Sequence, residues 1–107
     1  MTQALVATPS QHAAMLLLDD PLARAALQAL RARSVQAIAC GVQFTIPRGR
    51  SSRGVTLVHV VSDEQGVQLI ASRSTRSDWY EIDRTQGVQP GAVGESLARL
   101  TGLELPH

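Results

Sequence analysis

The sequence predicts an α+β domain with N-terminal helices, a four-stranded antiparallel β-meander made of two tandem hairpins, and a C-terminal helix. Proline follows a helix-capping residue twice, at Thr8-Pro9 and Asp20-Pro21. Apolar residues then change from helical spacing to strict alternation. The tripeptide Gly-Val-Gln recurs at residues 41, 66 and 87. We expect one domain over 1–107, with helices in 8–33, the sheet in 35–84 and the last helix in 91–101.

The caps predict the two N-terminal helices. Thr8 and Asp20 can accept hydrogen bonds from free N–H groups of the first turn, and proline at the first helical position sacrifices no bond. The first helix should reach about Leu18 and the second about Arg33. The second carries apolar residues at helical spacing, which predict a face that covers a sheet: Leu22, Ala23, Ala26, Leu27 and Leu30. A nucleic-acid recognition helix is the alternative.

Alternating apolar residues predict four strands. Five residues would share one face of the first strand before Pro47 ends it: Ile38, Cys40, Val42, Phe44 and Ile46. The second strand covers 54–61, the third alternates through Val67, Leu69 and Ala71, and the fourth runs from Trp79 to Asp83. Cys40 is the lone cysteine, so an internal disulfide is excluded. We expect it to be buried and inert, with a nucleophile as the alternative.

The repeated tripeptide predicts an internal duplication. Residues 41–66 and 66–87 both begin with Gly-Val-Gln, turn through arginine and serine, and close on Gln-Gly. Each span would be one hairpin, with glycine supplying a positive φ at the seams; chance similarity of two amphipathic hairpins is the alternative. After Pro90, the inner side of the final helix would carry Val93, Leu97 and Leu100, and Gly102 would end it.

Alternate connections of a meander lie at the same end of the sheet. The loop after the first strand and the loop after the third should therefore meet, and together they carry Arg48, Arg50, Arg53, Arg73 and Arg76. Trp79 and Tyr80 follow immediately. Guanidinium groups suit phosphate oxygens, and an exposed aromatic ring can stack on an unpaired base. Solvated hairpin loops are the alternative.

Residues 66–100 resemble SWIM-type zinc-binding modules. Ser72, Arg73 and Ser74 match the hairpin of that family, Trp79 and Tyr80 its aromatic strand, and Pro90 with Gly91 the end of its zinc knuckle. The resemblance implies a binding module associated with DNA or protein contacts. However, Gly87 and Gln89 stand where the first two zinc ligands belong, and no Cys-x-His pair follows. We therefore expect no metal, with packing of the last helix in its place.

Composition and motifs argue against catalysis. The net charge is +1, all ten basic residues are arginine, and the three histidines are scattered. The arginine-rich loop lacks the Gly-Lys-Ser/Thr ending of a P-loop. We expect no enzyme activity and no cofactor. With no signal peptide or long apolar segment in the sequence, a cytoplasmic protein with no membrane contact is expected.

The leading functional hypothesis is therefore a non-catalytic nucleic-acid-binding module. Its site residues would be Arg48, Arg50, Arg53, Arg73, Arg76, Trp79 and Tyr80. The alternative is a protein-interaction or homodimerisation module, because apolar residues on both faces of the sheet exceed what one helix layer covers. A small-molecule-binding regulator is a third hypothesis, for which the sequence shows no pocket signature.

Overall fold

The computed structural model describes residues 9–63 and 66–103. Its helices are α1 (Pro9–Asp19), α2 (Pro21–Ala29) and α3 (Val93–Thr101), the last preceded by a 3-10 turn at Pro90–Ala92. Its strands are β1 (Arg33–Ile38), β2 (Gly41–Thr45), β3 (Leu57–Asp63), β4 (Gly66–Ser74) and β5 (Trp79–Val88). The α+β class is confirmed, while this part of the chain has five strands in place of the predicted four.

The five strands form one antiparallel sheet in the order β1-β2-β3-β4-β5. Helix α1 packs on β1, β2 and β3, and α3 packs on β4 and β5. Both contact the same face of the sheet, whose core-facing residues are almost wholly buried and include Val42, Phe44, Val58, Val60 and Leu69. Helix α2 packs chiefly on α3 and α1. The prediction that α2 covers the sheet is therefore wrong, because α1 and α3 occupy that position.

Asp20 joins the starts of α2 and α3. Its Oδ1 accepts hydrogen bonds from the N–H groups of Leu22 (2.9 Å) and Ala23 (3.4 Å), as the N-cap prediction requires. Its Oδ2 accepts the N–H of Gly94 in α3 at 3.0 Å. One carboxylate thus satisfies free N–H groups of two helices and fixes their relative position.

The buried face of α3 is as predicted. Val93, Leu97 and Leu100 are each at most 1% exposed. Gly102 ends the helix at φ 73°, and the N–H of Leu103 donates to the carbonyl of Ala98 at 2.9 Å. The left-handed glycine and the returning hydrogen bond close the helix as the sequence indicated.

The predicted first strand is a hairpin. Ala39 and Cys40 form a two-residue turn between Ile38 and Gly41, which pair with each other across β1 and β2. Cys40 has a φ of 63°, which residues other than glycine rarely adopt. The apolar alternation continues through the turn, so the pattern concealed the break. The expectation of a buried thiol is wrong, since Cys40 is exposed, and Ile38 does not share the core face with Val42.

Helix α2 ends earlier than predicted. Arg31 takes a left-handed φ of 55°, its N–H donates to the carbonyl of Gln28 (3.1 Å), and the N–H of Ala32 donates to that of Leu27 (3.0 Å). This pair of bonds is a Schellman motif, which stops the helix before Arg33 begins β1. Leu22, predicted to face inward, is 42% exposed.

The glycines of the repeated tripeptide have two different roles. Gly66 and Gly87 have φ values of 130° and 64°, in agreement with the prediction for the seams. Gly41 has no positive φ, which corrects the prediction there. It is needed for space, because a Cβ at Gly41 would lie 2.0 Å from the carbonyl oxygen of Val60.

The third copy of the tripeptide ends β5 and begins no new strand. Gly87 lies in an irregular stretch between the pairs Val67–Val88 and Leu69–Thr85, where β5 contains one residue more than β4. A second irregularity adds Ile82 to β5 between the partners of Ala71 and Ser72. Such bulges let a strand continue past a glycine, so β5 passes Asp83 and reaches Val88.

Candidate nucleic-acid interface

The β2–β3 loop (residues 46–56) and the β4–β5 turn (residues 75–78) lie side by side at one end of the sheet, here called the arginine end. The N–H of Thr56 donates to the carbonyl of Ser72 at 2.9 Å. The hydroxyl of Thr56 accepts the N–H of Ser74 at 2.9 Å and lies 3.1 Å from the Ser74 hydroxyl. These bonds fasten the loop to β4, so the two arginine-bearing segments converge as the meander predicts.

Ser51 anchors the β2–β3 loop to the end of α3. Its buried hydroxyl donates to the carbonyl of Thr101 at 2.7 Å and accepts the N–H groups of Arg53 (3.3 Å) and Val55 (3.1 Å). The neighbouring Ser52 hydroxyl donates to the carbonyl of Gly102 at 2.9 Å. Two serines of the predicted phosphate-binding loop therefore satisfy carbonyl groups at the helix terminus, and their role is to fix the loop.

A cleft of about 250 Å³ lies between the anchored loop and β4. It is lined by Arg48, Gly49, Ser51, Ser52, Gly54, Val55, Thr56 and Arg73. The Arg73 guanidinium lies across Gly54, 3.5 Å from where a Cβ would stand. Arg48 and Arg73 are exposed, and neither forms an ion pair with any carboxylate of residues 9–63 and 66–103. The cleft thus offers two unneutralised cations to an anion.

Arg53 is held within the protein. Its Nη1 is 3.1 Å from Asp83 Oδ2 and donates to the carbonyl of Leu100 at 3.2 Å. The hydrogen bond from Arg53 is the largest cause that lowers the pKa of Asp83, followed by the bond from the N–H of Arg84. The sequence could not show this pairing, because bulge formation in β5 decides which face Asp83 occupies. We therefore assign Arg53 to the bridge between loop, β5 and α3.

The β4–β5 turn is a compact hydrogen-bonded unit. The N–H and the hydroxyl of Thr75 donate to the carbonyl of Asp78 at 2.7 and 3.0 Å. The N–H of Asp78 in turn donates to the hydroxyl oxygen of Thr75 at 3.2 Å. A shallow depression of about 460 Å³ is lined by residues 74–79, including Arg76 and Trp79. Asp78 brings a carboxylate to this depression, with Oδ1 accepting the N–H of Trp79 at 2.8 Å.

Trp79 and Tyr80 begin β5 on opposite faces of the sheet. Trp79 pairs with Ser74 and Tyr80 with Arg73, and successive residues of a strand point to opposite sides. Tyr80 therefore shares the helix side with Arg73, and Trp79 shares the other side with Ser74. Tyr80 is 50% exposed and Trp79 is 55% exposed, so neither ring is packed under a helix.

An apolar cleft that sequence reasoning missed lies between α1, α2 and the β1–β2 hairpin. It measures about 80 Å³ and is lined only by apolar residues: Ala14, Leu17, Leu18, Leu27, Val35, Val42 and Phe44. Leu18 and Val35 form its rim and are 60% and 61% exposed. The sequence does not distinguish Leu18 and Val35 from core residues, because an apolar residue at a helix end or in a strand is usually predicted to be buried. We call this rim the apolar edge.

Potential metal ligands do not assemble in the part of the chain that the structure describes. No group of three or more His, Cys, Asp or Glu side chains is close enough there to hold an ion. The SWIM-like positions Gly87 and Gln89 lie at the end of β5 and just before the 3-10 turn, and His107 lies outside the described residues.

Comparison with known proteins assigns no family. The chain matches no family model, no curated protein and no solved structure. The SWIM-like resemblance therefore remains a prediction. Within residues 9–63 and 66–103, no helix has the length and apolar character needed to span a membrane.

Proposed function

We propose that the protein is a non-catalytic nucleic-acid-binding module that contacts the phosphate backbone through Arg48, Arg50, Arg73 and Arg76. The observation that carries the proposal is the convergence of these four exposed guanidinium groups at the arginine end. None of them is paired with a carboxylate in the described part of the chain. Arg53 belongs to the original hypothesis but not to the refined site, because Asp83 neutralises it.

The geometry supports phosphate as the recognised group. Arg48 and Arg73 line one cleft from two different segments, and Gly49 and Gly54 leave it open to a bulky anion. A guanidinium group can donate two parallel N–H groups to the oxygens of one phosphate, and such charge-assisted pairs are stronger than neutral hydrogen bonds. The loop is fixed in advance by Ser51, so little ordering is needed when an anion binds.

Fluorescence anisotropy of labelled DNA at low salt tests the proposal. We expect saturable binding to the full chain, weakened by Arg73→Ala and left within about twofold by Arg24→Ala, because a cation outside the cleft makes no direct phosphate contact. Arg24 is exposed on α2 and does not line the cleft. No binding of either single-stranded or double-stranded DNA, or an equal loss in both variants, would reject the proposal.

The apolar edge favours self-association as a second candidate function. Two large apolar side chains, Leu18 and Val35, are more than half exposed beside the apolar cleft. Val35 also lies on β1, which is an edge strand of the sheet formed by residues 9–63 and 66–103. The apolar residues on the two faces of the sheet, from which the sequence predicted a dimer, offer less surface, since in β3 Leu57 is 3% exposed and Val58 and Val60 are in the core.

Sedimentation at several protein concentrations tests this second function. A homodimer is expected to dissociate with Leu18→Lys combined with Val35→Lys, because charged side chains resist burial at an apolar interface. Leu22→Lys is the matched control, since Leu22 is 42% exposed but does not line the cleft. A monomer at every concentration contradicts self-association and leaves the nucleic-acid proposal unaffected.

A further inference from the structure

One face of the sheet is left open by the helices. Register places a set of accessible residues there, opposite in orientation to the core residues Val60 and Leu69: Gln36, Gln43, Thr45, His59, Gln68 and Ile70. Leu57 and Ser72 share this orientation but are buried, at 3% and 7% exposure. His59 pairs with Gln43 on β2 and with Ile70 on β4, at the centre of the sheet. We call this surface the open face.

Trp79 extends the open face to the arginine end. Its partner Ser74 has the same orientation along β4 as Ser72 and Ile70, which places the indole on the open side. Tyr80 lies on the helix side with Arg73. The two aromatic residues therefore have different surroundings, and Trp79 is the one that joins the arginine loops to the open face.

Two charged side chains on the open face, Glu81 and Arg84, pair with each other. Glu81 accepts the Nε–H of Arg84 at 3.0 Å, and this hydrogen bond is the largest cause that lowers the pKa of Glu81. Burial lowers the pKa of His59, which favours the neutral imidazole with one donor and one acceptor. Gln36 and Gln43 are linked by a side-chain bond of 3.3 Å. Amides and a neutral imidazole match the donor and acceptor edges of nucleobases.

We infer that the ligand is a single strand of nucleic acid, with phosphates at the arginine end and bases on Trp79 and the adjoining open face. This inference rests on the proposed function and specifies its ligand. A half-exposed indole can stack on an unpaired base, whereas the bases of a duplex already stack on one another. The side chains of Gln36, Gln43 and His59 can form hydrogen bonds with the edge of a base only when that edge is not already paired with another base.

The carboxylate of Asp78, the residue before Trp79, opposes the approach of a polyanion. It lies in the same depression as Arg76, with Oδ1 engaged by the N–H of Trp79. We expect the backbone of a bound strand to enter at the cleft of Arg48 and Arg73 on the helix side. It would then cross the end of β4 past Arg76 to place a base on Trp79, on the open side.

Intrinsic fluorescence tests the inference directly, because Trp79 is the only tryptophan in the chain. Thymidine and uridine oligonucleotides of about ten nucleotides, within the usual site sizes, are expected to quench its emission. A duplex of equal length should bind at least about fivefold more weakly, since it offers no free base for stacking. Inorganic polyphosphate should bind without quenching. The thymidine and uridine arms distinguish DNA from RNA as the preferred strand.

Variants at the two aromatic positions provide the second measurement. Trp79→Ala is expected to lower affinity for a labelled single strand about tenfold, Trp79→Phe to restore part of it, and Tyr80→Ala to change it less than twofold. Affinity for polyphosphate should stay constant in all three. If duplex and polyphosphate bind but Trp79→Ala has no effect on the single strand, the inference fails and the proposed function stands. If no polyanion binds, both fail.

Discussion

Gly94→Ala is expected to lower the free energy of unfolding by about 3–5 kcal/mol, which is a large part of the stability of a small domain. A Cβ at Gly94 would lie 2.3 Å from the backbone N of Ala23 and 2.6 Å from the carbonyl carbon of Leu22. Neither atom can move without separating the starts of α2 and α3. Separation would also break the hydrogen bond from the Gly94 N–H to Asp20. The steric clash and the lost hydrogen bond would both lower the free energy of unfolding.

Urea and thermal unfolding followed by circular dichroism measure this effect. The matched control is Gly91→Ala, because a Cβ at Gly91 meets no atom within 4 Å and its φ is not positive. We expect Gly91→Ala to leave the free energy of unfolding unchanged or to raise it slightly. Equal unfolding midpoints for the two variants would show that α2 and α3 do not meet at Gly94 as described.

This helix contact illustrates how far sequence reasoning reaches for the fold. The Asp20-Pro21 cap and the inward face of α3 were predictable, because each is a local pattern with a known physical cause. The second role of Asp20 toward Gly94 was not, since it joins residues far apart in the chain. The β1–β2 turn was missed for another reason. Cys40 takes a backbone conformation that its residue type does not indicate.

Combined substitution of Arg48→Ala and Arg73→Ala is expected to reduce affinity for nucleic acid roughly 30-fold at low salt, at about 1 kcal/mol for each lost phosphate contact. Both side chains line the same cleft and come from segments on either side of it. Their removal leaves Arg50 and Arg76 as the remaining cations of the refined site. Binding by anisotropy, with folding checked by circular dichroism, measures the loss.

Arg53→Ala is the informative control for this pair. It removes one positive charge from the loop that also carries Arg48, but the guanidinium of Arg53 is already engaged by Asp83 and by the carbonyl of Leu100. We expect its affinity loss to be less than about threefold, because a neutralised cation contributes little to phosphate binding. A loss as large as that of the double variant would contradict the division of the arginines drawn from the structure.

The candidate site was predictable in outline and not in detail. Antiparallel connectivity alone placed the β2–β3 loop and the β4–β5 turn at one end, and the missed hairpin did not alter this, because it precedes both. Arg73 lies in β4, just before the turn, and not in the predicted loop. The pairing of Arg53 with Asp83 depended on a bulge that adds Ile82 to β5. Side-chain register after a bulge has no signature in the residue pattern, so this part required coordinates.

Salt dependence of single-strand affinity tests the central claim most directly, because each neutralised phosphate releases counterions. With four contacting arginines, the logarithm of the binding constant should fall with the logarithm of salt concentration at a slope of about −3. The Arg48→Ala, Arg73→Ala double variant should show about half that slope. A wild-type slope near zero, or a slope unchanged in the double variant, would contradict the assignment of these arginines to the phosphate backbone.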